Sequence, residues 1–300
     1  MNRWAGIGLV ALSAAGFGTL ALFSQYAYAD EMDAFSILFF RFTLAALIMA
    51  AVLMVRREPL PRGATLGLLV AMGAIGYVGQ SLAYLTALKY ASSGLVALLL
   101  YVYPVLVMLL AVLFLRERLT GMKVIVLVLA LAGTALTVDP AGGQAVGIVL
   151  ALTGAAIYSV YIMVGTHVLK RVSVVQSSAV IFASAGFAAG TLMILSGPRL
   201  PATGTGWAAI LAIVLLATVL PVAAFLGGLE RIGPTNAAML STLEPVVTVV
   251  LGVVLLSESL RPVTLIGGAL ILLAVILLTR AELRRPEIAP EVEHASAQEA

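Results

Sequence analysis

Long stretches almost free of charged residues recur along this 300-residue chain and restrict its fold more than any other feature. A helix needs about 20 apolar residues to cross the hydrocarbon core of a bilayer, which is about 30 Å thick. Stretches of that length follow one another, separated by short connectors, several of which contain Pro or Gly. They predict ten transmembrane helices, at residues 4–27, 34–55, 64–88, 91–115, 120–138, 145–168, 174–196, 207–229, 234–256 and 262–279.

The composition excludes a water-soluble fold. Hydrophobic residues make up 62% of the chain and charged residues 10%, whereas a soluble domain is about half apolar and about a quarter charged. There is no cysteine, and two histidines are too few for a histidine metal cluster, so we expect no metal site and no cofactor. The expected fold is an all-α polytopic membrane protein, whose partners are the lipid bilayer and a small-molecule substrate.

The distribution of positive charge predicts the orientation. With the N-terminus inside, 13 of the 17 Lys and Arg lie on the inner side of the ten helices. The outer side holds Lys89, Arg199 and Arg261, while Arg41 falls within a helix. Cytoplasmic loops are enriched in Lys and Arg, so both termini are expected in the cytoplasm and the protein in a bacterial inner membrane. Because its basic residues are dispersed between apolar runs, nucleic acid is not an expected partner. Residues 281–300 are polar and acidic and are expected to form a disordered tail.

The chain repeats itself at an offset of 141 residues. Pro104-Val105 falls on Pro245-Val246, and residues 112–119 fall on 253–260, which aligns Glu117 with a second glutamate. Residues 1–140 and 141–280 would each hold five helices, an odd number, so the two halves would enter the membrane in opposite directions. Many secondary transporters have such inverted repeats, with the substrate site near the midplane between them. Glu117 has arginines on both sides and is interpreted as a cap or a surface ion pair.

The same residues carry a family resemblance. Pro104 begins a run that ends in Glu117-Arg118-Leu119-Thr120, and Leu243-Glu244-Pro245 begins one that ends in Ser257-Glu258-Ser259-Leu260. In these blocks the chain resembles the ten-span EamA-type members of the drug/metabolite transporter superfamily. The resemblance implies export or facilitated diffusion of amino acids and other metabolites. The tyrosines of the third and fourth helices make it similar to the aromatic amino acid exporters of that family.

Glu244 is the carboxylate nearest the centre of the bilayer, about ten residues into the ninth helix. An ionised group at that depth is costly and must be paired, protonated or hydrated. It can bind a substrate amine or a proton. Alternatively, it hydrogen-bonds a neighbouring helix beside Pro245, whose missing N–H frees a carbonyl one turn back.

Arg41 is the basic residue that lies well inside a predicted helix. It can bind an anionic group of the substrate or act as a counter-ion that is released during transport. It can also cap the carbonyls of a broken helix, or extend its charged end toward the membrane surface. The second interpretation is the favoured one.

Tyrosines and small polar residues predict the transport pathway. Tyr77, Gln80 and Tyr84 share one face of the third helix, and the repeat places them on Thr218, Pro221 and Phe225. Tyrosine combines an apolar ring with a hydroxyl, which suits a path for amphipathic solutes; the alternative is an aromatic belt at the membrane surface. The candidate pathway residues are Tyr77, Gln80, Tyr84, Tyr101, Tyr103, Tyr158, Asn236, Ser241 and Glu244, and Tyr161 could complete the lining. The candidate helix breaks are Pro104, Pro221 and Pro245.

The sequence lacks the Gly-rich loop that ends in Gly-Lys-Ser/Thr, which favours secondary transport or facilitated diffusion over an ATP-driven pump. An enzyme is not expected, because no aspartate pair and no nucleophile with its base falls within a helix. We therefore expect a carrier that works by alternating access and acts as a monomer. A carrier for cationic drugs, a channel and a scaffold protein are the alternatives.

Overall fold

A computed structural model describes residues 3–87, 89–91, 96, 99–137, 144–256 and 262–283. The elements in this part of the chain are all helical. The principal helices, numbered in chain order, are α1 (Arg3–Gly18 and Leu20–Ala29), α2 (Ala34–Arg56), α3 (Gly63–Ala71, Met72–Tyr77 and Val78–Ala87), α4 (Tyr103–Leu115), α5 (Gly121–Thr137), α6 (Ala145–Val168), α7 (Val174–Ser196), α8 (Gly204–Val214, Leu215–Val219 and Leu220–Ile232), α9 (Pro234–Leu240, Ser241–Leu243 and Glu244–Leu256) and α10 (Pro262–Leu283).

The helices have the length and composition that a bilayer requires. Eight of those in the described residues are long and apolar enough to cross a membrane, and α4 and α5 are apolar but shorter. The predicted spans 145–168 and 174–196 coincide with α6 and α7. The prediction of an all-helical membrane protein is confirmed, whereas ten crossings with cytoplasmic termini remain a prediction. The predicted tail lies outside the described residues from position 284 onward.

Helix pairing follows the sequence repeat. The most extensive contacts join α2 to α7, α5 to α10, α1 to α8 and α3 to α6. The repeat relates each of the first five helices to the helix five places later, so that α1 corresponds to α6 and α2 to α7. If corresponding helices are exchanged, the pairs α2–α7 and α5–α10 are unchanged and the pair α1–α8 becomes α6–α3. Each contact is therefore its own image or the image of another, as a twofold relation between the repeats would produce.

Two loops are hydrogen-bonded to helix ends on opposite faces of the bundle. On what we call the Glu58 face, the Glu58 carboxylate accepts a hydrogen bond from the Ser173 hydroxyl, and Gln176 Nε2 donates to a carbonyl of the same loop at 2.6 Å. On the other, the Asp30 face, Ser36 Oγ accepts from the Arg199 amide at 3.0 Å. The repeat places residue 58 on residue 199, so equivalent positions anchor the two loops.

Glu117 also lies on the Glu58 face, where it forms an ion pair with a residue six positions further along the chain. Its carboxylate pairs with the ammonium of Lys123, which is 2% exposed, and accepts a hydrogen bond from Thr235 Oγ1 at 2.7 Å. Arg116 ends α4 in a left-handed conformation, with φ 54°, so the chain turns at this point. Glu117 thus joins the start of α5 to the start of α9, instead of pairing with the arginines beside it.

On the Asp30 face, we expect the 197–203 loop to loosen only in strong acid. The Thr203 side chain first, and then the Thr203 and Ala202 amides, hold the pKa of the Asp30 carboxyl below its ordinary value of 3.8. A lowered pKa contributes stability above the unfolded-state pKa, and this stability is lost as pH falls through the folded-state pKa. Exchange protection of the Ala202 and Thr203 amides should therefore hold at neutral pH and fall below about pH 4.

The Asp30→Asn variant should lose this acid-dependent step in hydrogen-exchange measurements. Asp33→Asn is the matched control, because Asp33 caps α2 through the Ser36 amide and makes no described contact with the 197–203 loop. An acid step of unchanged size in Asp30→Asn would contradict the assignment.

Candidate functional site

Four of the helices defined above are interrupted within their described residues. Helix α1 breaks at Thr19, α3 and α8 contain π-helical segments at Met72–Tyr77 and Leu215–Val219, and α9 contains a 3₁₀ turn at Ser241–Leu243. Single π-helical turns occur frequently at functional sites. Interrupted helices near the midplane form the substrate sites of many secondary transporters. These breaks therefore mark the candidate site.

The sequence explains two of these breaks directly. Proline lacks an N–H and clashes with the carbonyl four residues earlier. Pro221 follows the π segment of α8, and Pro245 follows the 3₁₀ turn of α9. In α8, the Thr218 hydroxyl donates to the Ile213 carbonyl at 2.8 Å, which satisfies a backbone group near the irregular turn. The π segment of α3 contains no proline.

The two π segments occupy corresponding places in the repeats. The 141-residue offset carries 72–77 onto 213–218, which overlaps the observed segment Leu215–Val219. Tyr77 in the first segment corresponds to Thr218 in the second. Both helices therefore lose regular α geometry at the same level of their repeat.

Arg41 is held between these two segments. Its side chain is buried, with the residue 5% exposed, and Nε donates to Thr218 Oγ1 at 2.7 Å. Its Nη2 donates to the Ala217 carbonyl at 3.2 Å and to the Tyr77 hydroxyl at 3.4 Å. The guanidinium carbon also lies 5.1 Å from the ring centre of Phe42 and 5.6 Å from that of Tyr77. Arg41 thus donates a hydrogen bond to a carbonyl at a helix break, and its role remains a prediction.

A continuous row of aromatic rings extends from Arg41 across the bundle. Neighbouring rings have centroids 4.8 to 6.4 Å apart, and most meet edge to face or stacked. Such pairs add stability beyond that of the area they bury. This aromatic row, in spatial order, consists of Phe182, Phe42, Tyr77, Tyr161, Tyr158, Tyr103 and Tyr101.

Tyr103 connects the row to α9. Its hydroxyl donates to the Ala238 carbonyl at 3.3 Å. Its own carbonyl accepts from Ser159 Oγ at 3.3 Å. Helices α4, α6 and α9 therefore meet at Tyr103, next to the 3₁₀ turn.

Glu244 is the first residue after that turn, and its side chain is half-buried. Among the described residues its carboxylate makes no hydrogen bond and no ion pair, whereas its backbone carbonyl accepts from Thr248 Oγ1 at 3.2 Å. Its charge acts on Arg41 and on five predicted pathway residues. These five are Tyr77, Tyr84, Tyr101, Tyr103 and Tyr158.

The break in α1 lies against the break in α9. A Cβ added at Gly18 would come within 3.2 Å of the Glu244 carbonyl oxygen and 2.8 Å of Val247. Thr248 Oγ1 donates to the Gly18 carbonyl at 3.3 Å. Only a glycine lets these two interrupted backbones approach so closely beside the carboxylate.

The remaining predicted residues are less closely joined to this centre. Gln80 accepts from Ser81 Oγ at 3.5 Å, and Tyr84 packs against Ala87 and other residues of a small separate cluster. Asn236 is buried toward the Glu58 face, where Nδ2 donates to a backbone carbonyl one turn earlier at 2.7 Å. Its Oδ1 has no partner among the described residues. Ser241 Oγ donates to the carbonyl of Ala237 at 2.9 Å.

Three residues of the site were not predicted as site residues. Thr218 entered the sequence analysis only as the repeat equivalent of Tyr77, and Phe42 and Phe182 were not singled out. The sequence repeat could have identified two of them, because it relates position 41 to Phe182 and position 77 to Thr218. Positions related by the offset meet at the interface of the repeats and could have been selected together.

Packing around the site is denser toward the Glu58 face. The second half of α8 and the first seven residues of α9, Pro234–Leu240, are mostly or fully buried. In the second half of α3, which leads to the Asp30 face, only Val78, Ala83 and Ala87 are buried among the described side chains. In the described residues, α8 and α9 are therefore packed more tightly on the Glu58 side of the site than α3 is on the Asp30 side.

Known proteins resemble this chain over most of its length. A protein of Streptantibioticus cattleyicolor, named "Probable terminal-alkyne amino-acid exporter", is 30% identical over 254 residues, which are 81% of this chain and 82% of that one. "Uncharacterized transporter YcbK" of Bacillus subtilis is 24% identical over 84% of this chain and 85% of its own. A crystal structure that is 24% identical in sequence has the same fold, with a TM-score of 0.81 over 94% of this chain and 99% of that one.

The family comparison covers both halves of the chain. The EamA-like transporter family matches residues 4–139 and, a second time, residues 145–280. Together the two matches include the paired helices, the four interrupted helices and the centre around Arg41 and Glu244. The chain therefore belongs to the EamA-like transporter family, in the drug/metabolite transporter superfamily.

Proposed function

We propose that this protein is a secondary transporter that exports small amine-bearing metabolites, amino acids first among them. The observation that carries the proposal is the Glu244 carboxylate, which has no described ionic or hydrogen-bonded partner at a helix break. A carboxylate at such depth is costly unless it is paired, protonated or hydrated. The ammonium group of an amino acid would supply the missing partner.

The tyrosines beside Glu244 suit the rest of such a substrate. Tyr101 and Tyr158 belong to the aromatic row, are half-buried and lie within the field of the Glu244 charge. Their rings offer an apolar surface and their hydroxyls offer hydrogen bonds, the combination found in pockets for small amphipathic ligands. The exporter name of the S. cattleyicolor relative supports the same substrate class.

The proposed mechanism is alternating access by two inverted repeats of five helices each, residues 1–140 and 141–280. The excess of Lys and Arg on the Glu58 face favours placing that face and both termini in the cytoplasm of a bacterial cell. The two halves would move against each other around the four helix breaks, with Pro104, Pro221 and Pro245 next to the moving segments. The site would open to one face at a time.

Organic cations are the second candidate substrates, because a carboxylate beside aromatic rings also suits a quaternary ammonium group. Such a compound shares the positive charge of an amino acid but has no carboxylate. Competition between the two classes separates the candidates. If tetraethylammonium blocks transport and unlabelled amino acids do not, organic cations are the substrates.

The test is uptake of a radiolabelled amino acid mixture into proteoliposomes, with unlabelled competitors and with or without a proton gradient. We expect saturable uptake that unlabelled amino acids inhibit. A response to the gradient would indicate proton coupling, and none would indicate facilitated diffusion. Flux that does not saturate would indicate a channel, and no flux of either substrate class above empty liposomes would contradict the proposal.

A further inference from the structure

A single arginine, Arg41, donates hydrogen bonds to two helix breaks that the repeat relates to each other. The repeat places Arg41 on Phe182, so the second repeat has no equivalent cation at that position. The rings of Phe42 and Phe182 stack with centroids 6.4 Å apart, where α2 and α7 make the most extensive contact in the bundle. Arg41 therefore lies beside the interface that relates the two repeats.

The hydrogen bonds of Arg41 divide unequally between the two π segments. The segment in α8 receives two, at 2.7 Å to Thr218 Oγ1 and at 3.2 Å to the Ala217 carbonyl. The segment in α3 receives one, at 3.4 Å to the Tyr77 hydroxyl. The repeat equivalents of Thr218 and Ala217 are Tyr77 and Gly76. The guanidinium thus favours one of two corresponding sets of acceptors.

This preference accompanies the unequal packing of the two faces. The half of α8 that leads to the Glu58 face is buried, whereas the corresponding half of α3 is more open. If the repeats exchange conformations, their contacts with Arg41 exchange as well. The planar guanidinium has five donor N–H groups, so it can exchange one set of acceptors for the other without losing its charge or its burial.

We infer that Arg41 is a positioning residue that moves between the π segments of α8 and α3 as the two faces open and close in turn. Bonding to Thr218 and Ala217 accompanies closure of the Glu58 face, and bonding to Tyr77 and the Gly76 carbonyl accompanies its opening. This role rests on the alternating access of the proposed function, but it is independent of which substrate is carried.

Removing one acceptor from each set provides the test. Thr218→Val removes the acceptor of the 2.7 Å bond and should favour opening of the Glu58 face. Tyr77→Phe removes the competing hydroxyl and should favour its closure. Both bonds are donated by the charged guanidinium, and the loss of one such bond corresponds to about a tenfold change in an equilibrium constant, so we expect shifts of about that size in opposite directions.

Accessibility of an introduced cysteine can report the shift, because the chain has no cysteine of its own. Ala238→Cys places a thiol on the buried first half of α9, on the Glu58 side of the helix break. Its alkylation rate should be measured in purified protein in nanodiscs, where the reagent reaches both faces and no substrate is needed. We expect Thr218→Val to raise the rate and Tyr77→Phe to lower it, each about tenfold.

Thr218→Ser keeps the hydroxyl and should label like the parent protein, which separates loss of the hydrogen bond from loss of side-chain shape. If Thr218→Val does not fold, a lower rate in Tyr77→Phe still tests the inference. Equal rates in all variants, or changes of the same sign in Thr218→Val and Tyr77→Phe, would overturn it. Opposite shifts without amino acid transport would overturn the substrate assignment alone.

Discussion

Replacing Glu244 by glutamine is expected to lower the rate of substrate uptake by about tenfold to a hundredfold. The variant keeps the size of the side chain but loses the charge that would pair with a substrate ammonium. A hydrogen bond to a charged group contributes about 1.5–3 kcal/mol, and each 1.4 kcal/mol corresponds to about a tenfold change in binding. Glu244 has no described partner, and the five tyrosines on which its charge acts have no carboxylate that could replace it.

The amount of folded protein should not fall in the same variant. An unpaired carboxylate inside a membrane protein costs free energy, so its neutralisation should leave the thermal stability equal or higher. Functional residues commonly have this effect, since a site built for binding is not built for stability. Initial rates of uptake into proteoliposomes and thermal unfolding in detergent are the two measurements.

Glu230→Gln is the matched control. Glu230 lies at the end of α8, is exposed, and is 3.9 Å from the guanidinium of its neighbour Arg231. Exposed pairs of this kind contribute little, so uptake should match that of the unchanged protein. Parental uptake in Glu244→Gln, or an equal loss in Glu230→Gln, would remove Glu244 from the substrate site.

The helices were predictable from sequence to within a few residues where their ends carry a local signal. Ser173 caps α7 through a capping box with Gln176, and Gly197 follows the last residue of the helix with φ 89°. Both signals act within one turn of the chain, and they were visible beside a long apolar run. For the fourth helix the apolar run extended from 91 to 115. Helix α4 begins at Tyr103, next to Pro104, after a turn at Tyr101 and Val102 that follows helical residues 99 and 100; part of the preceding segment lies outside the described residues.

The site was predictable only in part, because its geometry depends on contacts between distant segments. The prolines indicated irregular turns in α8 and α9, but no residue type marked the π segment of α3. The sequence left two interpretations of Arg41, and its acceptors Thr218 and Ala217 lie about 177 residues away in the chain. The partners of Glu117 could not be predicted for a similar reason, since Lys123 and Thr235 are not its sequence neighbours.

The π segment of α3 lies very close to α7 at Gly73, and this contact leads to the largest expected effect on stability. At Gly73 an added Cβ would lie 2.0 Å from Ser184 Oγ and 2.2 Å from the Ile181 carbonyl oxygen. The serine side chain can rotate, but the carbonyl belongs to the backbone of α7 and can move only with that helix. We expect Gly73→Ala to lower the free energy of unfolding by about 3 kcal/mol, the upper part of the usual range for overpacking.

Thermal unfolding of the purified protein in detergent should show this loss as a lower transition temperature and a smaller monodisperse fraction. Gly67→Ala is the control within the same helix, because nothing lies within 4 Å of its added Cβ. Alanine is the better helix former by about 1 kcal/mol, so that variant should be as stable as the parent or more stable.

A second substitution identifies the atom responsible. In the double variant Gly73→Ala with Ser184→Ala, the clash with the hydroxyl disappears and the clash with the Ile181 carbonyl remains. Stability should then recover only in part, because the closest backbone contact is unchanged. Full recovery would mean that the serine alone limits the approach of α3 to α7, and parental stability of Gly73→Ala would mean that the helices separate at little cost. Partial recovery would place the limit in the backbone, where no residue but glycine lets the π segment bring Tyr77 within reach of Arg41.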